Sequence, residues 1–190
     1  MSKRIALLSA AALGVLALTS ALVAPVSAQD KMMSSSEKTV MVGGAAMFPS
    51  KNIIQNAVNS KDHTTLVAAV KAAGLVSTLE GKGPFTVFAP TNAAFGKLPA
   101  GTVDTLVKPE NKATLTKILT YHVVPGRLEA SDLTDGKKLK TVQGEELTVK
   151  RSGDTVMIID SKGGSSTVTI PNVNQSNGVI HVVDTVLMPS

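Results

Sequence analysis

The spacing of apolar residues changes character once, near Pro125-Gly126, and that change restricts the chain to a mixed fold. Before it, apolar residues recur at helical intervals. Leu66, Val67, Val70 and Ala73 share one face of a helix that Asp62 or Thr64 can cap and Gly74 can end in a left-handed turn. Ile53, Ile54 and Ala57 predict an earlier helix behind Ser50, and two further stripes follow: Val103, Leu106 and Val107, then Leu115, Ile118 and Leu119 running into Tyr121 or His122. Within this half, Phe85–Ala89 lies between Gly83-Pro84 and Pro90 and reads as a short buried strand with Phe88 in the core. Thr91 then caps a short helix carrying Phe95 and Leu98. After Pro125-Gly126 the period shortens to two. Leu147 and Val149 alternate with Thr148 and Lys150, and Ser152-Gly153-Asp154 turns into Val156–Ile159. Ser166–Ile170 and Val179–Val183, the latter launched by Asn177-Gly178, complete the strands. The expected class is α+β and strand-rich, with N-terminal helices packed on one side.

The N-terminus carries the layout of a secretory signal. Lys3 and Arg4 precede an apolar run from Ile5 to Val23, and Val26-Ser27-Ala28 supplies the small residues a signal peptidase reads. The expected organisation is a signal peptide over 1–28, a flexible polar leader over 29–48, and one domain over 49–190. Cleavage lowers the net charge from +5 to +3, because it removes Lys3 and Arg4 and no acid. Scattered Lys and a single Tyr leave neither an electrostatic footprint nor a stacking platform for nucleic acid. With no Cys in the chain, disulfides, Cys-based zinc sites and a lipidated-Cys anchor are excluded, so the predicted product is exported to the periplasm or the exterior without a stable membrane anchor.

Motifs for chemistry are sparse. No G-x-S-x-G elbow, paired metal-binding His or calcium loop occurs, and neither Gly43-Gly44 nor Gly163-Gly164 has the Lys-Ser/Thr that completes a phosphate loop. No cofactor, metal site or catalytic residue is assigned. His63 lies among polar neighbours at a helix start and is expected to be exposed. His181 alternates with Val179 and Val183, which makes it a hydrogen-bonded core residue. His122 stands at a helix-to-strand transition, where an imidazole can tie two backbone segments together. Asp160 and Asp184 sit singly near strand ends as turn or capping acids, and Glu145-Glu146 reads as an exposed turn. Asn174-Gln175-Ser176 matches a glycosylation pattern but reads as a polar loop. Met32, Met33, Met41 and Met47 are unevenly spaced for soft-metal capture.

Three blocks, GPFTVFAPTNAAFGKL from Gly83, TYHVVPG from Thr120 and NGVIHVVDTVLMP from Asn177, resemble the fasciclin-like domain in order and spacing. The resemblance covers about Ser50 to Pro189. It implies a wedge of about seven strands with helices on one side, in secreted or surface proteins that mediate adhesion, and it implies no catalytic machinery. It further implies a recognition segment at Tyr121, His122, Val123 and Val124, of which at least one Val must face inward while the other is free to face outward. The expected function is a binding module for a surface protein or polysaccharide. The alternative is a structural or stress-related periplasmic protein with no specific ligand. Bridging two surfaces with one domain requires self-association or a two-faced domain.

Overall fold

In the computed structural model, which describes residues 38–190, the first described element is a tight hairpin. Gly43 and Gly44 both take positive φ (57° and 76°), the backbone that a two-residue turn between twisted strands demands. Val40–Val42 (β1) therefore folds straight back on Ala45–Met47 (β2). Val42 and Met47 are both buried in the core. This corrects the leader expected over 29–48: its last part is a structural element, because Val40 and Val42 alternate with exposed Met41 on one strand and the Gly43-Gly44 turn brings Met47 back beside them. The signal peptide expected over 1–28 and residues 29–37 lie outside the described residues.

Six short helices follow. Asn52, not Ser50, caps α1 (Ile53–Ala57), accepting from the Gln55 amide while the Gln55 side chain accepts from Asn52 N–H. A 3₁₀ turn, Lys61–His63, leads into α2 (Thr64–Ala73), whose apolar face is the predicted one and whose C-cap Gly74 is left-handed as expected. α3 (Val76–Glu80) precedes β3 (Phe85–Pro90). Thr91 Oγ1 accepts from Ala94 N–H at 3.2 Å and caps α4 (Asn92–Gly96). α5 (Thr102–Leu106) and a 3₁₀ turn at Pro109–Asn111 lead to α6 (Lys112–Tyr121).

The rest of the chain is sheet: β4 (Val123–Pro125), β5 (Lys138–Lys140), β6 (Glu146–Ser152), β7 (Thr155–Ile159), β8 (Ser165–Gln175) and β9 (Gly178–Val183). With β3 they form a seven-stranded sheet in the order β4-β3-β9-β8-β7-β6-β5, in which β3 and β9 are parallel and the other pairs antiparallel. The sheet curls towards closure, since Val142, just past β5, donates its N–H to the Val123 carbonyl in β4 at 2.8 Å. The predicted β6–β7 hairpin is present. β8 runs past Ile170, where Pro171 would end a regular strand, by means of register shifts between Val168 and Val173 and a positive φ at Asn172.

Both faces of the central strands are covered, so the core divides in two. Val87 and Ala89 of β3, with Ile180 and Val182 of β9, pack towards the helices and the β1–β2 hairpin. Phe88 and Val183 point the other way, into a cluster with Tyr121, Leu133, Leu147, Ile158 and Leu187. Every residue of β9 is buried, which explains why its sequence is a continuous apolar run broken only by His181.

Candidate functional site

Tyr121 to Val124 connect α6 to β4 in the interior of the molecule. Tyr121 is fully buried, and its hydroxyl accepts from Ser161 N–H at 2.9 Å. His122 lies 2.8 Å by Nδ1 from the Ile118 carbonyl and 3.0 Å by Nε2 from Leu187 N–H. A carbonyl only accepts, so Nδ1 carries the proton and Nε2 is the acceptor. Burial holds this imidazole neutral, lowering its pKa from the ordinary 6.5 to about 4 against the opposing pull of the Ile118 carbonyl and Asp160. The two valines part to opposite faces, Val123 into the helix-side core and Val124 into the Tyr121 cluster. The sequence required one of them to face inward and left the other free; sheet alternation sends them to two faces, and because both faces are covered, both valines are buried. None of the four recognition residues suggested by the resemblance is accessible in this conformation, since all are less than 7% exposed.

The chain after β9 forms part of their cover, with Leu187 in the cluster of Tyr121 and Val124 and Val186 in that of Val123. Three side-chain acceptors grip it in succession: His122 takes Leu187 N–H, Asp160 Oδ2 takes Met188 N–H at 3.1 Å, and Glu145 Oε2 takes Ser190 N–H at 2.9 Å. Asp160 Oδ1 also accepts from Lys162 and Gly164 N–H, so this acid organises the turn after β7 as well. Glu145 is held well below the usual carboxylate range, at about 2, first by the Ser190 amide and also by Ser161 and Gln143. The sequence reading of Glu145 as an exposed turn acid missed this network. Gln143 is a local donor, but Ser161 and Ser190 come from positions 16 and 45 residues away, and no local pattern announces them.

The remaining candidates are dispersed. His181 is fully buried, stacks on Phe88 with ring centroids 5.7 Å apart, and bonds the Leu128 carbonyl through Nε2 at 2.7 Å. Asp184 accepts from Thr167 N–H at 2.8 Å and from Thr185, and reaches Lys97 at 3.4 Å. Partial burial raises its pKa, but these donors outweigh that and leave it lowered. His63 is a correction: it is 3% exposed, because the 3₁₀ turn carries the ring inward although its sequence neighbours are polar. Asn177, read from the sequence only as a turn residue ahead of the last strand, also joins three elements, accepting from Ile53 N–H at 3.1 Å and donating to the Leu79 and Gly81 carbonyls at 2.6 and 3.0 Å. Beside it lies an open cleft of about 480 Å³, lined by Asn52, Gln55, Lys82, Arg127 and Ser176 among others.

Residues 61–189 match the fasciclin domain family. The chain belongs to the fasciclin family. It is 48% identical over 157 residues to Protein sll1483 of Synechocystis sp., covering 83% of this chain and 84% of that protein. It is 40% identical over 153 residues to the cell surface glycolipoprotein MPB83 of Mycobacterium bovis, covering 78% of this chain and 64% of that one. A solved FAS1 domain pair from the insect cell adhesion molecule fasciclin I aligns with a TM-score of 0.66 at 19% identity, covering 74% of this chain and 52% of that chain. This last likeness concerns the fold alone.

Within the fasciclin domain, the imidazoles and acids described above are engaged in structural hydrogen bonds. The ring nitrogens of His122 and His181 are engaged with backbone, and Asp160, Glu145 and Asp184 are engaged with N–H donors. Among the described residues no group of three or more acidic or imidazole side chains converges in a way that could hold a metal ion, and no helix is long and apolar enough to cross a membrane.

Proposed function

We propose that this fasciclin protein is an exported, non-enzymatic binding and adhesion module that recognises a surface protein or polysaccharide. The observation that carries the reading is the family match over 61–189 together with a relative named as a cell surface glycolipoprotein. The geometry supports it in a second way. Polar groups that would have to be free for catalysis are committed to holding backbone, whereas the cleft beside Asn177 presents amides, a hydroxyl, Lys82 and Arg127 to solvent. Such a lining suits hydroxyl-rich chains or polar protein loops, and with the Tyr121 segment covered it is the contact face within this reading.

The test is retention of the purified mature protein on envelope and matrix fractions, with Lys82→Ala/Arg127→Ala as the cleft variant. Saturable retention that falls several-fold in a variant with an unchanged melting temperature supports the proposal. Absence of retention on every fraction, with the native protein confined to the periplasm, favours a structural periplasmic role and sinks it. Sedimentation of the retained species shows whether bridging uses self-association.

A further inference from the structure

In the cleft beside Asn177, hydrogen-bond donors and acceptors are unequally committed. Its volume of about 480 Å³ lies within the range of small-ligand sites, about 300–1,000 Å³. Asn52 and Gln55 line it, and the capping box decides which end of each amide is already used. Asn52 Oδ1 accepts from Gln55 N–H at 2.8 Å, and Gln55 Oε1 accepts from Asn52 N–H at 3.0 Å. Each keeps its NH2 group, a double donor. The Gln55 side chain is exposed, and the Asn52 NH2 is not a buried group, since among the described residues only His63 Nε2 is both buried and without a partner. Lys82 and Arg127 add charged donors. Neither forms an ion pair among the described residues, and Arg127 gives one Nη to Asn174 Oδ1 at 2.6 Å while its other N–H groups stay free.

The acceptors of the same walls are largely taken. Asn177 Oδ1 serves Ile53 N–H, the Asn177 carbonyl serves Phe85 N–H, the Pro84 carbonyl serves Gly126 N–H, and the Gly81 carbonyl serves both Gly83 N–H and the Asn177 amide. Glu80 is the single carboxylate on the walls, against two cations. A lining rich in free donors and net positive is complemented by a ligand rich in acceptors and negatively charged. Apart from Pro84 no apolar or aromatic side chain lines the cleft, so it offers no pocket for the buried anchor on which peptide recognition depends. A sugar chain needs no such anchor: hydroxyl and ring oxygens accept from the two amides, and hydroxyl protons go to Glu80. We propose that the cleft binds a carboxylate-bearing polysaccharide, a chain of uronic acid units whose carboxylates pair with Lys82 and Arg127. This rests on the adhesion reading and narrows its partner to an anionic sugar chain.

The test titrates the mature protein with trigalacturonate, trimannuronate, neutral maltotriose and triglutamate, following binding by calorimetry and the side-chain NH2 resonances of Asn52 and Gln55. At least one uronate should bind saturably and move both NH2 groups, with maltotriose and triglutamate weaker by about tenfold or more, the loss of a charge-assisted hydrogen bond. Lys82→Ala/Arg127→Ala should weaken that uronate by at least the same factor. Lys140→Ala/Lys150→Ala, which removes two exposed lysines that do not line the cleft, should leave it unchanged. Equal weakening in the two double variants would reduce the effect to net charge and overturn the proposal. So would fixed NH2 resonances, equal affinity for maltotriose, or tighter binding of triglutamate, which would assign the cleft to acidic protein segments. Retention on envelope fractions that depends on Lys82 and Arg127 while neither uronate binds overturns this inference and leaves the adhesion reading standing. Uronate binding without any envelope retention supports the ligand class and removes the adhesion reading.

Discussion

At the level of single residues, the fasciclin domain assigns polar side chains to jobs that hydrophobic ones cannot do. His122 joins the last turn of α6 to the covering segment at Leu187, and its removal strands a buried carbonyl and a buried N–H at once. His122→Ala should therefore lower stability by about 1–3 kcal/mol, with any loss of binding following the loss of folded protein. An unchanged melting temperature with reduced retention on envelope material would instead assign His122 to recognition. Phe88, fully buried against His181, is the apolar counterpart: Phe88→Ala should cost about 3–5 kcal/mol. Asn177 offers a sharper comparison. Asn177→Asp retains the acceptor for Ile53 N–H but turns an oxygen towards the Leu79 and Gly81 carbonyls, so denaturant midpoints should fall at least as far as for Asn177→Ala. A smaller loss in Asp than in Ala would mean the two carbonyl contacts are not stabilising.

At the level of elements, legibility in the sequence follows how local the determining physics is. α2, with its stripe and Gly74 stop, and the β6–β7 hairpin, with its Gly153 turn, were readable because period and turn chemistry lie within a dozen residues. Strand β3 was readable because Gly83-Pro84 and a β-branched, aromatic run bracket it. The hairpin β1–β2 was missed although Gly-Gly flanked by Val42 and Ala45 is a turn signal, since three-residue strands hardly exceed the background of small residues. The inward turn of His63, the grip of Glu145 on Ser190 and the burial of both Val123 and Val124 depend on residues far away in the chain, so no window of sequence contains them. Close approach is equally invisible: a Cβ at Gly178 would collide with the Phe85 carbonyl across the parallel β3–β9 pair. The missed hairpin carries weight. Val42 and Met47 bury side chains worth about 1.5–3 kcal/mol each, so a chain lacking residues 38–48 should lose about 3–6 kcal/mol relative to one lacking only 29–37. Equal urea midpoints for the two deletions would show that the hairpin only rests on the core.

At the scale of the whole molecule, the groups with displaced titrations act in one direction. His63, His122 and His181 have lowered pKa values because burial disfavours the imidazolium, and Glu145 and Asp184 are lowered because donors favour their carboxylates. A lowered folded-state pKa means that the unfolded chain binds more protons over the interval, so each group stabilises the fold at high pH and loses that contribution as pH falls. The imidazoles come first. For His122 the stabilisation is complete above about 6.5 and is lost as pH falls through about 4, an interval worth about 3 kcal/mol. Glu145 follows, intact above about 4.5 and lost towards about 2. Because His122 and Glu145 hold the same covering segment, with Asp160 between them, acid should loosen that segment before the sheet melts and should uncover Tyr121 and Val124. Urea midpoints should be level from pH 8 to 7, fall steeply between 6.5 and 4, and fall further below 4.5, while Tyr121 fluorescence becomes quenchable earlier on the acid side than the sheet signal is lost. His122→Gln should make the first fall shallower, leaving the share of His63 and His181, without altering the second. Stability that stays constant from pH 7 to 5 would show that these imidazoles are protonated inside the fold, and simultaneous loss of both signals would show that the covering segment has no independent motion.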